Sequence, residues 1–424
     1  MGVDYSRRRE SDEASNLMAI EKLHIRAART TGLERRTIAR VIDEPLSDVN
    51  KRSDAFLMVT AEGNCFDSAD MQGYAALLVE KGAEGKIPND IETPLVTGYN
   101  DLRHFLPGCI LAIESSNGST RVLYRPQSEN NALFATPRCN SNCLMCSQPP
   151  TLQDDGGIVD EHLRVISLIE SPPATLGITG GEPTLLGDGL VSIIAALKER
   201  FPDTFVPMLT NGRLYAYDDL PARIGQVAHP GLLSAIPLYA DIAPTHDYIV
   251  QTKGAFDQTL QGLYNMAKHG LRAEIRVVLH RQTIPRLLPL MEFIYRNLPF
   301  VDHVALMGLE NMGYVKKNWG LLWIDPVDYT DTLMEAVRHL FYRGMSVSVY
   351  NLPLCVLPHT LWPFARKSIS DFKNIYLPEC DSCAIKPRCA GLFASSESRH
   401  SRSINPITMD EHKATTILDH LCTV

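Results

Sequence analysis

Between residues 54 and 125 the apolar residues come in short runs, AFLMVTAEG, CILAIESS and TRVLYRP. Each has strand length and strand composition, and SSNGST between the last two supplies a hairpin turn. They predict a small β-containing domain over residues 51–130. From Ala132 the pattern becomes a regular alternation. Strand-like runs LFAT, ATLGIT, FVPMLT, LLSAIPLYA, RAEIRVVL, HVALMGLE and MSVSVYNL are interleaved with helix-period segments. The helical ones include HLRVISLIES, GLVSIIAALKERF, FDQTLQGLYNMAKHG, IPRLLPLMEFIYRNL and VDYTDTLMEAVRHLFYRG. Strands alternating with helices imply right-handed βαβ units on a parallel sheet. Six or seven such units over residues 131–350 predict an α/β fold, a partial (βα)6 TIM-like barrel. Residues 351–424 read as an irregular cysteine-rich segment and a polar tail, with a short last helix near Glu411–Leu421. Residues 1–50 are rich in Arg and Glu and poor in large apolar residues, and predict a largely disordered tail.

Composition narrows the class. With 424 residues, 45% of them apolar, the chain can bury its core without covalent staples. Its 41 basic and 49 acidic residues give a net charge of −8, which argues against nucleic acid as a partner. No run of eighteen apolar residues predicts a membrane span. MGVDYSRRRESDEASN is too polar for a secretory signal, so a cytoplasmic location is expected. In that setting ten cysteines point to metal binding or catalysis rather than to disulfides.

Three of them, Cys139, Cys143 and Cys146, lie in ATPRCNSNCLMCSQPP, directly after a strand. Thiolates select zinc and iron–sulfur clusters. A structural zinc site is closed by four protein ligands. Three thiolates leave one iron of a cubane free for a small chelating molecule, whereas a zinc loop would need a distant fourth ligand. One βα unit later, GITGGEPTLL places Gly180, Gly181, Glu182 and Pro183 at a strand end, where two glycines let backbone approach a ligand closely. LTNG offers Thr210 and Asn211. Asp241 and the His246–Asp247 pair follow the next strand. In AEIRVVL, alternation puts Glu274, Arg276 and Val278 on one face, and Arg276 suits a carboxylate. Glu310 in MGLE occupies a similar place. Each of these polar residues also suits a plain cap or ion pair. PECDSCAIKPRC brings Cys380, Cys383 and Cys389, with Cys355 upstream in NLPLCVLP. They suit a second cluster or a structural zinc knuckle. For Cys65, Cys109 and Cys422 an ordinary free thiol is the reading.

The CxxxCxxC triple after the first strand of a (βα) series, followed by GGE, resembles the radical SAM superfamily. Met145 stands where that family commonly has an aromatic residue. The resemblance implies that Cys139, Cys143 and Cys146 hold a 4Fe–4S cluster. S-adenosylmethionine would bind the open iron, with Gly180, Gly181, Glu182 and Pro183 at its amino group and Thr210, Asn211, Asp241 and Arg276 as further contacts. The CxxC and third cysteine of the tail are similar to auxiliary-cluster segments of peptide-modifying members and imply a second 4Fe–4S cluster. Phe393 stands where the longer form of that segment has a further cysteine. CNSNCLMCSQPP, IPLYADIAPTHDYI, GAFDQT, EIRVVLH, HVALMGLE, NLPLCVLP and SISDFKNIY together resemble His-Xaa-Ser system radical SAM maturases of the HxsC type, from about residue 100 to 405. CAGLF stands where that family tends to read CGGFF. This likeness implies a small ribosomally made peptide as substrate, a second radical SAM partner, and a flavodoxin- or ferredoxin-type electron donor. A radical SAM enzyme for a nucleotide or small metabolite, and a non-catalytic zinc-binding scaffold, are the alternatives.

Overall fold

The computed structural model describes residues 24–25, 28–63, 65–371 and 373–408. It divides into two compact units, residues 1–133 with 157–175, and residues 134–156 with 176–424.

The first unit is built on an eight-stranded mixed sheet. Its strands are β1 (His24–Ile25), β2 (Arg29–Thr31), β3 (Thr37–Ile42), β4 (Ala55–Val59), β5 (Ala76–Glu80), β6 (Leu95–Tyr99), β7 (Ile110–Ile113) and β8 (Thr120–Tyr124), in the order β1-β8-β7-β3-β4-β5-β6-β2. Strands β3 to β6 run parallel, and β7 and β8 form the antiparallel hairpin expected around SSNGST. Its turn is closed by the Gly118 amide donating to the Glu114 carbonyl at 2.9 Å. Every residue of β4 is buried, as a central strand covered on both faces requires. Residues 28–50, expected to be tail, instead carry β2 and β3. Their alternation is masked by arginines that find carboxylates: Arg36 pairs with Glu114 and Glu161, and Arg40 with Glu170. The helix α1 (Ile158–Leu168) that contributes Glu161 belongs to this unit.

The second unit carries the α/β half-barrel. Its sheet runs in the order β16-β15-β14-β13-β12-β11-β10-β9 and is open at both ends. The strands are β9 (Ala132–Phe134), which spans the boundary at residue 133, β10 (Gly177–Thr179), β11 (Val206–Leu209), β12 (Leu232–Pro237), β13 (Arg272–Leu279), β14 (His303–Gly308), β15 (Val347–Tyr350) and β16 (Ala365–Arg366). From β10 to β16 every pairing is parallel. Helices α2 (Asp188–Arg200), α3 (Asp219–Val227), α4 (Ala243–Val250), α5 (Ala255–Lys268), α6 (Leu287–Asn297) and α7 (Thr330–Phe341) alternate with them. In α7 the buried residues Leu333, Ala336, Val337 and Leu340 form the three- and four-residue stripe that a helix turns toward a sheet. Helix α5 starts where the Asp247 carboxylate accepts the amides of Gly254 and Phe256, at 2.6 and 2.8 Å, satisfying its first orphan donors. The tail adds a two-stranded antiparallel pair, β17 (Asn374–Ile375) and β18 (Leu392–Phe393). No helix among the described residues is long and apolar enough to cross a membrane. The helix expected near Glu411–Leu421, and Cys422, lie outside the described residues.

Candidate functional site

The cysteine loop leaves β9 and is tied down by backbone at both ends. Asn142 and Leu144 donate to the carbonyls of Val250 and Ile249 at the end of α4, and Tyr314 donates to the Cys146 carbonyl at 2.9 Å. Met145 is buried with Tyr239, Ile249 and Val250, so an apolar side chain here anchors the loop. Gly313 must be glycine: its φ is +55°, and a Cβ would stand 2.3 Å from the Cys146 carbonyl oxygen.

The GGE segment locks onto the chain entering that loop. Gly181 donates to the Thr136 carbonyl at 2.6 Å and Glu182 to the Arg138 carbonyl at 2.8 Å. A Cβ on Gly181 would meet the Arg138 carbonyl oxygen at 2.1 Å. Glu182 is fully buried. One carboxylate oxygen accepts from the Thr184 amide at 3.0 Å and from the hydroxyls of Thr184 and Thr210 at 2.5 Å. The other accepts the Asn211 amide at 2.6 Å. Burial pushes this carboxyl upward, and the four donors pull it back. Its carboxylate is thus engaged within the protein, tying the end of β10 to the end of β11. Pro183 opens the short turn Pro183–Leu186 that Glu182 caps.

Asn211 carries the link onward. Its side-chain amide donates to Asn140 Oδ1 at 2.6 Å and lies 3.8 Å from Cys139 Sγ. The Ser141 amide donates to the same sulfur at 3.4 Å. Burial pushes the thiols of Cys139 and Cys143 up to about 11 and about 12, with the neighbouring cysteines adding to the rise at each, and raises Cys146 as well. All three are free thiols. Among the described residues no three His, Cys, Asp or Glu side chains converge on a point as the ligands of one metal ion do. Three cysteine sulfurs in one short loop are the soft donors that an iron–sulfur cluster takes, so the donor set of the loop fits such a cluster.

Arg276 and Glu274 do share a face, as alternation predicts. Arg276 Nε donates to Glu274 Oε1 at 2.6 Å, the other oxygen of Glu274 meets His303 Nδ1 at 2.9 Å, and His303 Nε2 meets Ser348 Oγ at 3.0 Å. Asp241 is not open to a ligand. Arg286 grips it through two bonds of 2.6 Å, a pairing across 45 residues that sequence spacing does not reveal. Glu310 is likewise paired, with Lys373 at 3.0 Å. His246 is buried against Tyr239 and accepts its amide, while Asp247 caps α5. The sequence reading missed Arg213, which binds the cysteine loop directly. Its signal was adjacency to LTNG.

In the tail, Cys355, Cys380, Cys383 and Cys389 line one cavity with Leu354 and Tyr376. Cys389 Sγ accepts the amides of Leu354 and Gly391, and Cys383 Sγ that of Ile407, all at 3.4 Å. Cys355, uncertain on sequence, joins the other three.

Residues 133–294 match the family model of the Radical SAM superfamily. That segment is similar to the domain shared by radical SAM proteins. The superfamily's cofactors are a 4Fe–4S cluster and S-adenosylmethionine, and the loop of Cys139, Cys143 and Cys146 lies within the matched residues. The chain is 27% identical over 223 residues to Fe-coproporphyrin III synthase of Methanosarcina barkeri, covering 50% of this chain and 53% of that protein. It therefore spans about half the length of the curated relative it matches. Among solved structures, Streptococcus suis SuiB bound to S-adenosylmethionine superposes with a TM-score of 0.42 at 14% identity, over 51% of this chain and 49% of SuiB. The protein anSMEcpe, bound to AdoMet and a peptide, gives 0.41 at 17% identity, over 51% of this chain and 62% of its own.

Proposed function

We propose that this chain is a radical SAM enzyme that removes hydrogen from a ribosomally made peptide of the His-Xaa-Ser type. The observation that carries the reading is the cavity shared by Cys355, Cys380, Cys383 and Cys389, in a chain that also carries a separate CxxxCxxC loop. Two thiol sets suit an enzyme that starts a radical and then withdraws an electron as a bond forms. The sequence likeness to HxsC-type maturases supplies the substrate class.

Cys139, Cys143 and Cys146 would hold the SAM-binding cluster, and the four tail cysteines an auxiliary 4Fe–4S cluster. When bound and reduced, the first cluster with S-adenosylmethionine supplies methionine and a 5′-deoxyadenosyl radical able to take hydrogen from substrate. The chain's own residues bind, orient and exclude water. Asn211 and Ser141 donate toward Cys139 Sγ and hold that thiolate in place. Glu182 fixes the tips of β10 and β11, so the amino group of the cofactor would meet backbone at Gly180 and Gly181. Arg276, steered by Glu274, offers its guanidinium to the methionyl carboxylate. Met145 and Tyr239 keep water from beneath the loop. A flavodoxin- or ferredoxin-type donor in the reducing cytoplasm, and a second radical SAM partner, complete the reading.

The relative from M. barkeri favours a second reading, a tetrapyrrole or other small metabolite as substrate. Anaerobic purification followed by dithionite reduction decides. The expected result is about eight irons per chain, as two cubanes require, release of 5′-deoxyadenosine, and loss of hydrogen from a His-Xaa-Ser peptide by mass spectrometry. Conversion of a tetrapyrrole precursor to Fe-coproporphyrin III instead would favour the second reading. Colourless protein with stoichiometric zinc would overturn both.

A further inference from the structure

We infer that Arg213 is a positioning residue that latches the cysteine loop and, by its charge, sets the reduction potential of the cluster the loop holds. The inference rests on the radical SAM reading above. Arg213 follows the TNG turn at the end of β11. Its guanidinium NH1 donates to the Asn140 carbonyl and, at 3.0 Å, to Ser141 Oγ. Its Nε donates to Gln258 Oε1 on α5 at 2.8 Å, and its main-chain amide to Asn211 Oδ1 at 3.1 Å. One half-buried side chain therefore bolts the two residues after Cys139 to a helix of the barrel. Asn211, held by the same residue's amide, reaches Cys139 itself.

All of these acceptors are neutral. Among the described residues the side-chain partners of Arg213 are Gln258, Asn140 and Ser141, with no carboxylate. A partly buried guanidinium with no carboxylate partner attracts an anion brought close to it. The anion to hand is the thiolate-bound cluster, since Arg213 grips Asn140 and Ser141, the two residues that directly follow Cys139. Cluster potentials follow net charge and hydrogen bonds near the sulfurs. A fixed positive charge there favours the reduced state, which is one electron more negative. Lysine would keep the charge but not the fork that reaches Asn140, Ser141 and Gln258 together.

The test uses the full chain with two readouts. In the anaerobically reconstituted protein, an EPR-monitored redox titration compares wild type with Arg213→Gln and Arg213→Lys. The glutamine variant is expected to hold about tenfold less reduced cluster at a fixed potential, about 59 mV for a one-electron couple, and the lysine variant to stay near wild type. In the metal-free protein, amide hydrogen exchange over residues 139–144 is expected to quicken in Arg213→Gln, Arg213→Lys and Gln258→Ala alike. An unshifted potential in Arg213→Gln, or an equal shift in Arg213→Lys, would overturn the electrostatic half. Unchanged exchange would overturn the latch. Should Arg213→Gln fail to fold, Gln258→Ala and Arg213→Lys still decide the latch, and a lysine potential far from wild type refutes the charge. A wild-type chain that takes up no iron refutes the radical SAM reading instead, while the exchange arm still judges the latch.

Discussion

The main-chain amide of Gly181 donates to the carbonyl oxygen of Thr136 at 2.6 Å, joining the GGE strand end to the chain that runs into Cys139. Nothing larger than hydrogen fits at Gly181, because a Cβ would press on the Arg138 carbonyl at 2.1 Å and that oxygen is itself bonded to Glu182. Gly181→Ala is expected to cost about 1–3 kcal/mol of stability and to leave the first cluster poorly loaded. Gly320→Ala, where nothing lies within 4 Å of the added methyl, is the control and should match wild type. Thermal unfolding of metal-free protein and iron assays after reconstitution measure both. Equal behaviour of the two variants would refute the steric block at Gly181.

Glu274 links Arg276 to His303, so its charge should matter twice. Burial pushes its carboxyl up, but the hydrogen bond from His303 and the charge and hydrogen bond of Arg276 outweigh that and hold it below the usual range. A depressed carboxyl contributes stability that is fully present above its unfolded value of about 4.3 and is lost as pH falls through the lower folded value. Glu274→Gln should therefore flatten the loss of stability between about pH 5 and pH 3. It should also weaken S-adenosylmethionine binding roughly tenfold, the loss of one charge-assisted bond, with iron content unchanged. Urea unfolding across pH and calorimetric titration of the cofactor measure these. A variant with the wild-type acid slope would show that the pair does not favour the charged form.

Much of the half-barrel was legible because parallel strands and helices announce themselves by period. The CxxxCxxC and GGE motifs were legible because each needs particular residues at fixed spacing. What escaped was pairing at a distance. Asp241 looked available until Arg286, 45 residues on, closed over it. Arg40 made β3 look like tail sequence, since its partner Glu170 is far along the chain. Arg213 carried no motif, and only the fold shows that it reaches Asn140. Cys355 is the opposite case, an isolated thiol that the chain path brings to the other three.

His246 gives a second acid-side signature, of different origin. Its Nδ1 accepts the Tyr239 amide at 3.2 Å, so the buried ring is neutral and a second proton would face a donor. Burial pushes its pKa down to about 4 and that of His280 down to about 3. Below an unfolded value of about 6.5 the unfolded chain takes up protons that the folded one refuses. Stability is therefore complete above that pH and falls progressively toward pH 4, by about 3 kcal/mol for His246 alone. His246→Asn keeps an acceptor that does not titrate. It should be less stable than wild type near neutral pH, yet lose less on going to about pH 5. Denaturant midpoints at the two pH values decide, and parallel losses would rule out a neutral buried histidine.

The two cysteine sets should empty independently. Cys143 lies in a loop anchored to α4, whereas Cys355 lies in the tail cavity with Cys380, Cys383 and Cys389. Cys143→Ala should remove about four irons, the content of one cubane, and abolish 5′-deoxyadenosine release. Cys355→Ala should perturb only the tail iron. Since Cys389 and Cys383 keep their amide donors from Leu354, Gly391 and Ile407, the remaining thiolates should retain part of that cluster. Deoxyadenosine release should persist in Cys355→Ala while product formation on the proposed peptide substrate falls, because the first site needs no thiol from the tail. Iron analysis, EPR of the reduced proteins and chromatography of deoxyadenosine separate the two. Loss of deoxyadenosine in Cys355→Ala with the first cluster intact would show that the tail site is needed for cofactor cleavage itself.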